Sequence, residues 1–230
     1  VTRPWETLAR VATPRGELTL RRRGETDFLI ALEGRVIMTS AAHGSESLLA
    51  RAACAELGRR KRPRVLVAGL GMGFTLRAAL DVLPRGARVD VAELEPAVVS
   101  WCRGPLAPGA GRPLEDPRVC VHTENVAAPL ARAAAGSAPR YDAIALDLFE
   151  GPGGDDDPLF GNAGLARLRD ALAGEGVAAV WSERRDARFE RRLRKAGFEG
   201  ERLSPEAGRG LRHVVYVARR AREGARHPAL

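Results

Sequence analysis

Val65-Leu66-Val67-Ala68-Gly69-Leu70-Gly71-Met72-Gly73 is the stretch that decides the fold. An apolar run of β character ends in three alternating glycines. A helical pattern follows over Phe74–Leu83, and a second apolar run, Ala87–Glu93, ends in an acid. This is the layout of a nucleotide or nucleoside site on a parallel sheet. Glycine lets the chain bend tightly and lets a ligand approach the backbone. An acid at the tip of the next strand can accept both hydroxyl hydrogens of a ribose. The glycines alone are a weak signal; strand, helix and spaced acid together point to a ribose-containing ligand.

The same alternation continues outward from this stretch. Strand patterns at Arg64–Ala68, Ala87–Glu93, Val119–Thr123, Tyr141–Leu146 and Val177–Trp181 are separated by helical patterns at Phe74–Leu83, Ala97–Arg103, Val126–Ala135 and Ala163–Leu172. Such βαβ repetition predicts a mostly parallel sheet covered by helices on both faces. A basic helix over Ala187–Ala196 and two strands, Phe198–Leu203 and His213–Ala218, then end the sheet as an antiparallel pair. Upstream, residues 1–40 have β character, with a strand at Glu17–Arg22 and a hairpin, Phe28–Leu32 and Arg35–Thr39, turning at Glu33-Gly34. Ser45–Leu57 reads as a helix capped by Ser45. The chain therefore divides into a small N-terminal β region (1–44), an α/β domain (45–220) with a seven-stranded sheet, and a frayed basic tail (221–230).

Bulk properties narrow the classes. At 230 residues the chain can bury a core without disulfides. Cys54, Cys102 and Cys120 are widely spaced, with no CxxC pair, and read as small reduced core residues and not as a metal site. No stretch is apolar and long enough to span a bilayer, and the N-terminus has no secretory pattern; a cytoplasmic protein is the expectation. The net charge of +8 and pI near 10.5 raise the question of nucleic acid. Yet all but two of the 37 basic residues are Arg, which suits a base-composition bias, and aromatics make up only 5%.

Ligands of open α/β sheets bind beyond the carboxyl ends of the strands. Those ends carry Gly69, Gly71 and Gly73; Glu93; Glu124 and Asn125; Asp147 and Glu150; and Trp181 with Glu183. Acids at four of five ends on a basic protein suggest a cationic ligand. Asn125 also suits a helix cap. Asp147 directly follows a buried-type run, Ala143-Ile144-Ala145-Leu146, which favours function over solvation. His43 and Glu46 precede and open the first helix, within reach of the cleft. Trp181 and Met72 are most simply packing residues, and Asp155-Asp156-Asp157 a solvated turn.

With these residues placed, the chain resembles the spermidine synthase family, aminopropyltransferases on the Rossmann-like class I AdoMet-dependent methyltransferase fold. The resemblance spans roughly residues 15–218: the hairpin around Leu32-Glu33-Gly34-Arg35-Val36-Ile37, the glycine motif, Glu93, Asn125, and Tyr141 to Asp147 stand in the family's order. It implies that Gly69, Gly71 and Gly73 cradle the methionine-like part of the nucleoside and that Glu93 binds the ribose. Asn125, beside Glu124, would meet the adenine, and Asp147 would orient and deprotonate an attacking amine. It also implies S-adenosylmethionine or its decarboxylated form as co-substrate, no metal, and a homodimer.

Three departures bear on the reaction. Met72 stands where the family's glycine loop has the Asp that holds the donor's aminopropyl amine. Glu150, followed by Gly151, replaces a second catalytic Asp followed by Pro. The gating segment has Ala42-His43-Gly44-Ser45-Glu46 in place of a Tyr. Because Met72 removes the acid that would read the donor's amine, the sequence favours methyl transfer from a nucleoside sulfonium to a small amine acceptor, with Asp147 and Glu150 catalytic and His43, Glu46, Trp181 and Glu183 shaping acceptor choice. Aminopropyl transfer is the alternative. A nucleic-acid methyltransferase using the arginines of 184–194 and 219–226, or a non-catalytic nucleoside binder, are further alternatives.

Overall fold

The computed structural model describes residues 3–149, 151–154, 157–204 and 213–220. The chain opens with four antiparallel strands in sequential order: β1 (Glu6–Thr13), β2 (Gly16–Arg23), β3 (Asp27–Leu32) and β4 (Arg35–Thr39). The β3–β4 turn is made by Glu33 (φ 49°) and Gly34 (φ 75°), two left-handed residues as a two-residue hairpin of this twist requires. The N-terminal region is therefore a four-stranded sheet, with β1 added to the expected strand and hairpin.

The remaining elements build the α/β unit: α1 (Gly44–Cys54), β5 (Arg64–Ala68), α2 (Phe74–Val82), β6 (Arg88–Ala92), α3 (Pro96–Arg103), β7 (Val119–His122), α4 (Ala127–Ala134), β8 (Tyr141–Leu146), α5 (Asn162–Ala171), β9 (Leu172–Ser182), α6 (Ala187–Lys195), β10 (Phe198–Leu203) and β11 (Val214–Arg220). Their strands form one sheet in the order β10-β11-β9-β8-β5-β6-β7. All pairs from β9 through β7 are parallel; β11 lies antiparallel between β9 and β10. The predicted fold class, a Rossmann-like mostly parallel seven-stranded sheet with an antiparallel strand at its chain terminus, is the one observed.

Burial explains why β5 and β8 read as unbroken apolar runs. Alternate residues feed two cores. Val65, Val67, Ala143 and Ala145 face α1, α2 and α3, whereas Leu66, Ala68, Ile144 and Leu146 face α4, α5 and α6. A strand buried on both faces has no solvent side to mark by polar alternation. Leu18, Leu20, Phe28 and Ile30 of the N-terminal sheet join the first of these cores, so this sheet shares its packing with the α/β unit.

Several boundaries differ from expectation. The first helix stops at Cys54, and a 3-10 turn occupies Leu57–Arg59. Ser45 does not cap it: His43 holds the cap position without a side-chain bond, and Ser45 Oγ turns inward. Strand β9 starts at Leu172, directly on the end of α5, where a loop up to Val177 was expected. Cys54 and Cys102 are buried as predicted, but Cys120 is exposed, because β7 is the edge of the sheet. Much of the turn over 204–212, Asp155, Asp156 and the tail 221–230 lie outside the described residues. Among the described residues no helix is long and apolar enough to cross a membrane.

Candidate active site

From β5 the chain steps through β6 to β7 on one side, then returns to β8 and β9 on the other. The reversal falls between β5 and β8, and the carboxyl ends of these strands are where open α/β sheets bind ligands in a crevice. Gly69 follows β5 and Asp147 follows β8. The two are pressed together: Asp147 N–H donates to the Ala68 carbonyl at 2.8 Å, and a Cβ added to Gly69 would lie 2.1 Å from the Asp147 carbonyl oxygen.

The turn Leu70–Gly73 is closed by Gly73 N–H to the Leu70 carbonyl at 2.8 Å. Gly69 (φ 86°), Gly71 (φ 52°) and Gly73 (φ 87°) are all left-handed, a conformation that side-chain-bearing residues rarely adopt. Glu93 braces this turn. Its Oε2 accepts Leu70 N–H at 2.8 Å and its Oε1 accepts Glu95 N–H at 2.9 Å. Each oxygen keeps a further lone pair for a ribose hydroxyl. Burial pushes the Glu93 carboxyl above the usual carboxylate range, while the two backbone N–H bonds pull against that rise. Met72 is buried in the core, as read from the sequence. Its N–H points at Met38 Sδ, 3.1 Å away on β4, and this thioether rests on Gly71.

Asp147 is the most perturbed acid among the described residues. Its carboxyl is pushed up to about 7, first by burial and then by the negative charges of Glu46 and Glu93. One donor opposes this: Thr75 Oγ donates to Asp147 Oδ2 at 2.5 Å from the first turn of α2. Glu46, in the first turn of α1, is itself buried and accepts from Ser45 Oγ at 2.7 Å; that hydroxyl also meets His213 Nδ1 at 3.0 Å. Burial holds the His213 imidazole below its ordinary pKa, with Glu46 and Glu183 pulling it upward. Trp181 packs edge-on against His213 at 4.8 Å, with its indole Nε1 buried and unbonded. Glu93 and Glu46 thus both act on Asp147, and His213 and Trp181 lie beside Glu46 through the Ser45 hydroxyl.

The other predicted positions are more peripheral. His43 is exposed and stacks on Phe74 at 4.2 Å, beside the start of α2. Glu183 pairs with Arg35 of β4 at 2.8 Å. Arg132 of α4 takes up the Glu124 carboxylate at 2.5 and 2.9 Å. Val126 and not Asn125 holds the cap position of α4; Asn125 Oδ1 accepts Ala127 N–H at 2.9 Å from one residue earlier, and its amide nitrogen can still meet a base. Glu150 lies outside the described residues. Its neighbour Gly151 has φ 64°, and a Cβ there would lie 2.8 Å from Ser182 Cα, so this loop follows a path closed to proline.

Sequence reasoning missed Thr75, Ser45, His213 and Met38. Thr75 had a usable signal, a hydroxyl in the first turn of the helix that leaves the glycine turn. The other three depend on strand register and sheet packing, which no local pattern carries. For Thr75 the expected result is concrete. In Thr75→Val, Asp147 loses its only hydrogen-bond donor among the described side chains, and its carboxyl rises further. The acid limb of the pH–kcat/KM profile moves to higher pH by about one unit. A limb that stays in place removes Thr75 from the site.

No protein-family model matches the chain, and no curated protein matches it. Among solved structures, spermidine synthase from Thermotoga maritima superposes with a TM-score of 0.69 at 18% identity, covering 92% of this chain and 72% of that chain. A spermidine synthase in complex with the transition-state analogue AdoDATO gives 0.68, also at 18% identity, with the same coverage. The chain has a spermidine synthase-like fold.

Proposed function

We propose that this chain is a transferase that moves an aminopropyl group from decarboxylated S-adenosylmethionine to a small amine. The observation that carries this reading is the acidic crevice around Asp147. The charged side chains that shift its carboxyl are Glu46 and Glu93, both acids. A donor with an α-carboxylate would bring a fourth negative charge toward them. A donor that ends in an ammonium, and an acceptor that is a polyamine-like cation, complement them. The AdoDATO complex of a similarly folded spermidine synthase supports the same donor class.

The chemistry asks little of the protein beyond placement. The donor carbon is already electrophilic on its sulfonium. An amine lone pair attacks it in line, the carbon–sulfur bond breaks toward sulfur, and a neutral thioether nucleoside leaves. The proton lost by the amine nitrogen goes to Asp147. A carboxyl near 7 suits that task, since it is partly ionised at working pH and holds the proton once taken. Glu93 and the glycine turn hold the nucleoside. Glu46, Trp181, His213 and Glu183 set the acceptor's length and charge. Pairing acceptor and sulfonium in one crevice turns a bimolecular attack into a positioned one.

Methyl transfer from S-adenosylmethionine is the second reading, favoured by Met72 at the position of the expected donor-binding acid. The basic surface supports a nucleic-acid substrate less well: in α6, Arg192 is buried and donates to the Phe160 carbonyl, and Arg185 and Arg202 both pair with Glu190. Thermal unfolding with each nucleoside separates the readings. At about 100 times its dissociation constant a ligand adds about 2.7 kcal/mol, or about 5–10 °C in a chain of this size. Decarboxylated S-adenosylmethionine and methylthioadenosine are expected to give such shifts and S-adenosylmethionine a smaller one. A larger shift with S-adenosylmethionine overturns aminopropyl transfer.

A further inference from the structure

The outer strand β7 carries Cys120 and His122 two residues apart, hence on one face of the sheet. Asp90 of β6 is the register partner of Cys120 and shares that face. His122 Nε2 lies 3.4 Å from Asp90 Oδ1, and the ligand atoms of all three residues fall within 4.8 Å of one another. Nitrogen and oxygen ligands about 2.0 Å from a tetrahedral zinc ion stand about 3.3 Å apart. The Asp90–His122 pair already has that spacing. Cys120 is exposed, so rotation about its Cα–Cβ bond can bring Sγ in.

The second oxygen of Asp90 is held independently. Its Oδ2 accepts from Arg64 Nε and Nη2 at 3.1 and 2.7 Å and from the Tyr141 hydroxyl at 3.1 Å. The carboxylate is therefore fixed by one oxygen and offers the other to His122 and Cys120, as outer partners orient a ligating carboxylate in metal sites. The nearby cations are engaged: Arg64 with Asp90, and Arg132 with Glu124.

We propose that Asp90 Oδ1, Cys120 Sγ and His122 Nε2 form a binding site for a thiophilic divalent cation of the zinc(II) class, with water in the fourth position. Thiolate and imidazole together select zinc or cobalt over magnesium or calcium. Binding displaces the Cys120 thiol proton to solvent and staples the edge strand to β6. The site adjoins the nucleoside end of the sheet, since the His122 carbonyl accepts Glu93 N–H at 3.1 Å, but its three side chains take no part in the reaction proposed above.

The test is titration of the full chain, freed of metal by a chelator, with zinc(II) and cobalt(II). One equivalent of zinc binds with a micromolar or tighter dissociation constant, and cobalt gives a thiolate charge-transfer band. Cys120→Ser abolishes the band, and Cys120→Ser and His122→Ala each weaken zinc at least about 10-fold. Both positions are at least partly exposed, so metal-free melting of each variant stays close to the parent chain. Cys54 and Cys102 are buried and do not compete. Absence of saturable binding, or one-equivalent binding that survives both substitutions, overturns the site.

Discussion

Asp147→Asn is expected to lower kcat by about 100- to 10,000-fold while methylthioadenosine affinity changes only a few-fold. Asn can still accept from Thr75 Oγ, so the local geometry holds, but the group no longer takes a proton. The pH dependence identifies it. In the parent chain the proposed activity is expected to rise in kcat/KM with pH through about 7, as Asp147 ionises, and this limb is expected to be missing from the residual activity of the variant. Stability runs the other way. The folded pKa lies above the ordinary value of 3.8, so the fold binds a proton the unfolded chain releases. That contribution is complete below about pH 4 and is lost as pH rises through 7. Asp147→Asn removes this loss, and the variant is expected to be more stable than the parent at pH 8. A variant that keeps full turnover, or that melts lower at pH 8, refutes the assignment.

Gly69→Ala is the second large effect, and it acts on folding. The new Cβ would sit 2.1 Å from the carbonyl oxygen of Asp147, whose N–H is tied to the Ala68 carbonyl of β5, and the φ of 86° is strained for alanine in any case. Backbone cannot step aside as a flexible side chain can. The expected cost is about 3 kcal/mol or more, lowering the melting temperature by about 6–12 °C. Loss of nucleoside binding accompanies it, because the switch point between β5 and β8 has to widen. Gly34→Ala is the control. It also has positive φ (75°) but meets nothing within 4 Å, so it reports strain without collision. Equal losses in the two variants would show that the close approach carries no weight.

The contrast between these two glycines also explains what the sequence disclosed. Val65 to Gly73, Glu93 and Asp147 are legible because a doubly buried strand must be apolar to its last residue. Whatever polar group follows then stands at the mouth of the sheet. Parallel pairing follows from the same alternation, whereas the return of β8 to pair with β5 carries no local signal. The first strand, Glu6–Thr13, was only implicit within a β-rich region: a bulge between Thr7 and Ala9 breaks its two-residue period, and none of its residues is buried. Ser45 was misjudged because a serine before a helical run is usually a cap. Here a buried acid one residue on and His213, 168 residues away, claim its hydroxyl. Cys120 was misjudged because cysteine composition says nothing about which strand ends the sheet. Its neighbours Asp90 and His122 assemble only through β6–β7 register. The preference for methyl transfer drew on Met72 alone. A buried Met72 leaves the acids around Asp147 to decide the charge of the donor.

Met38 and Met72 are the two methionines of the chain, and they meet at the glycine turn. Isotope labelling of methionine methyl groups therefore yields a two-signal spectrum with both probes at the glycine turn of the proposed nucleoside site. One comes from the N-terminal sheet and the other from the turn itself. Titrating a candidate nucleoside into such a sample would follow both walls of the crevice at once, without any label added to the ligand.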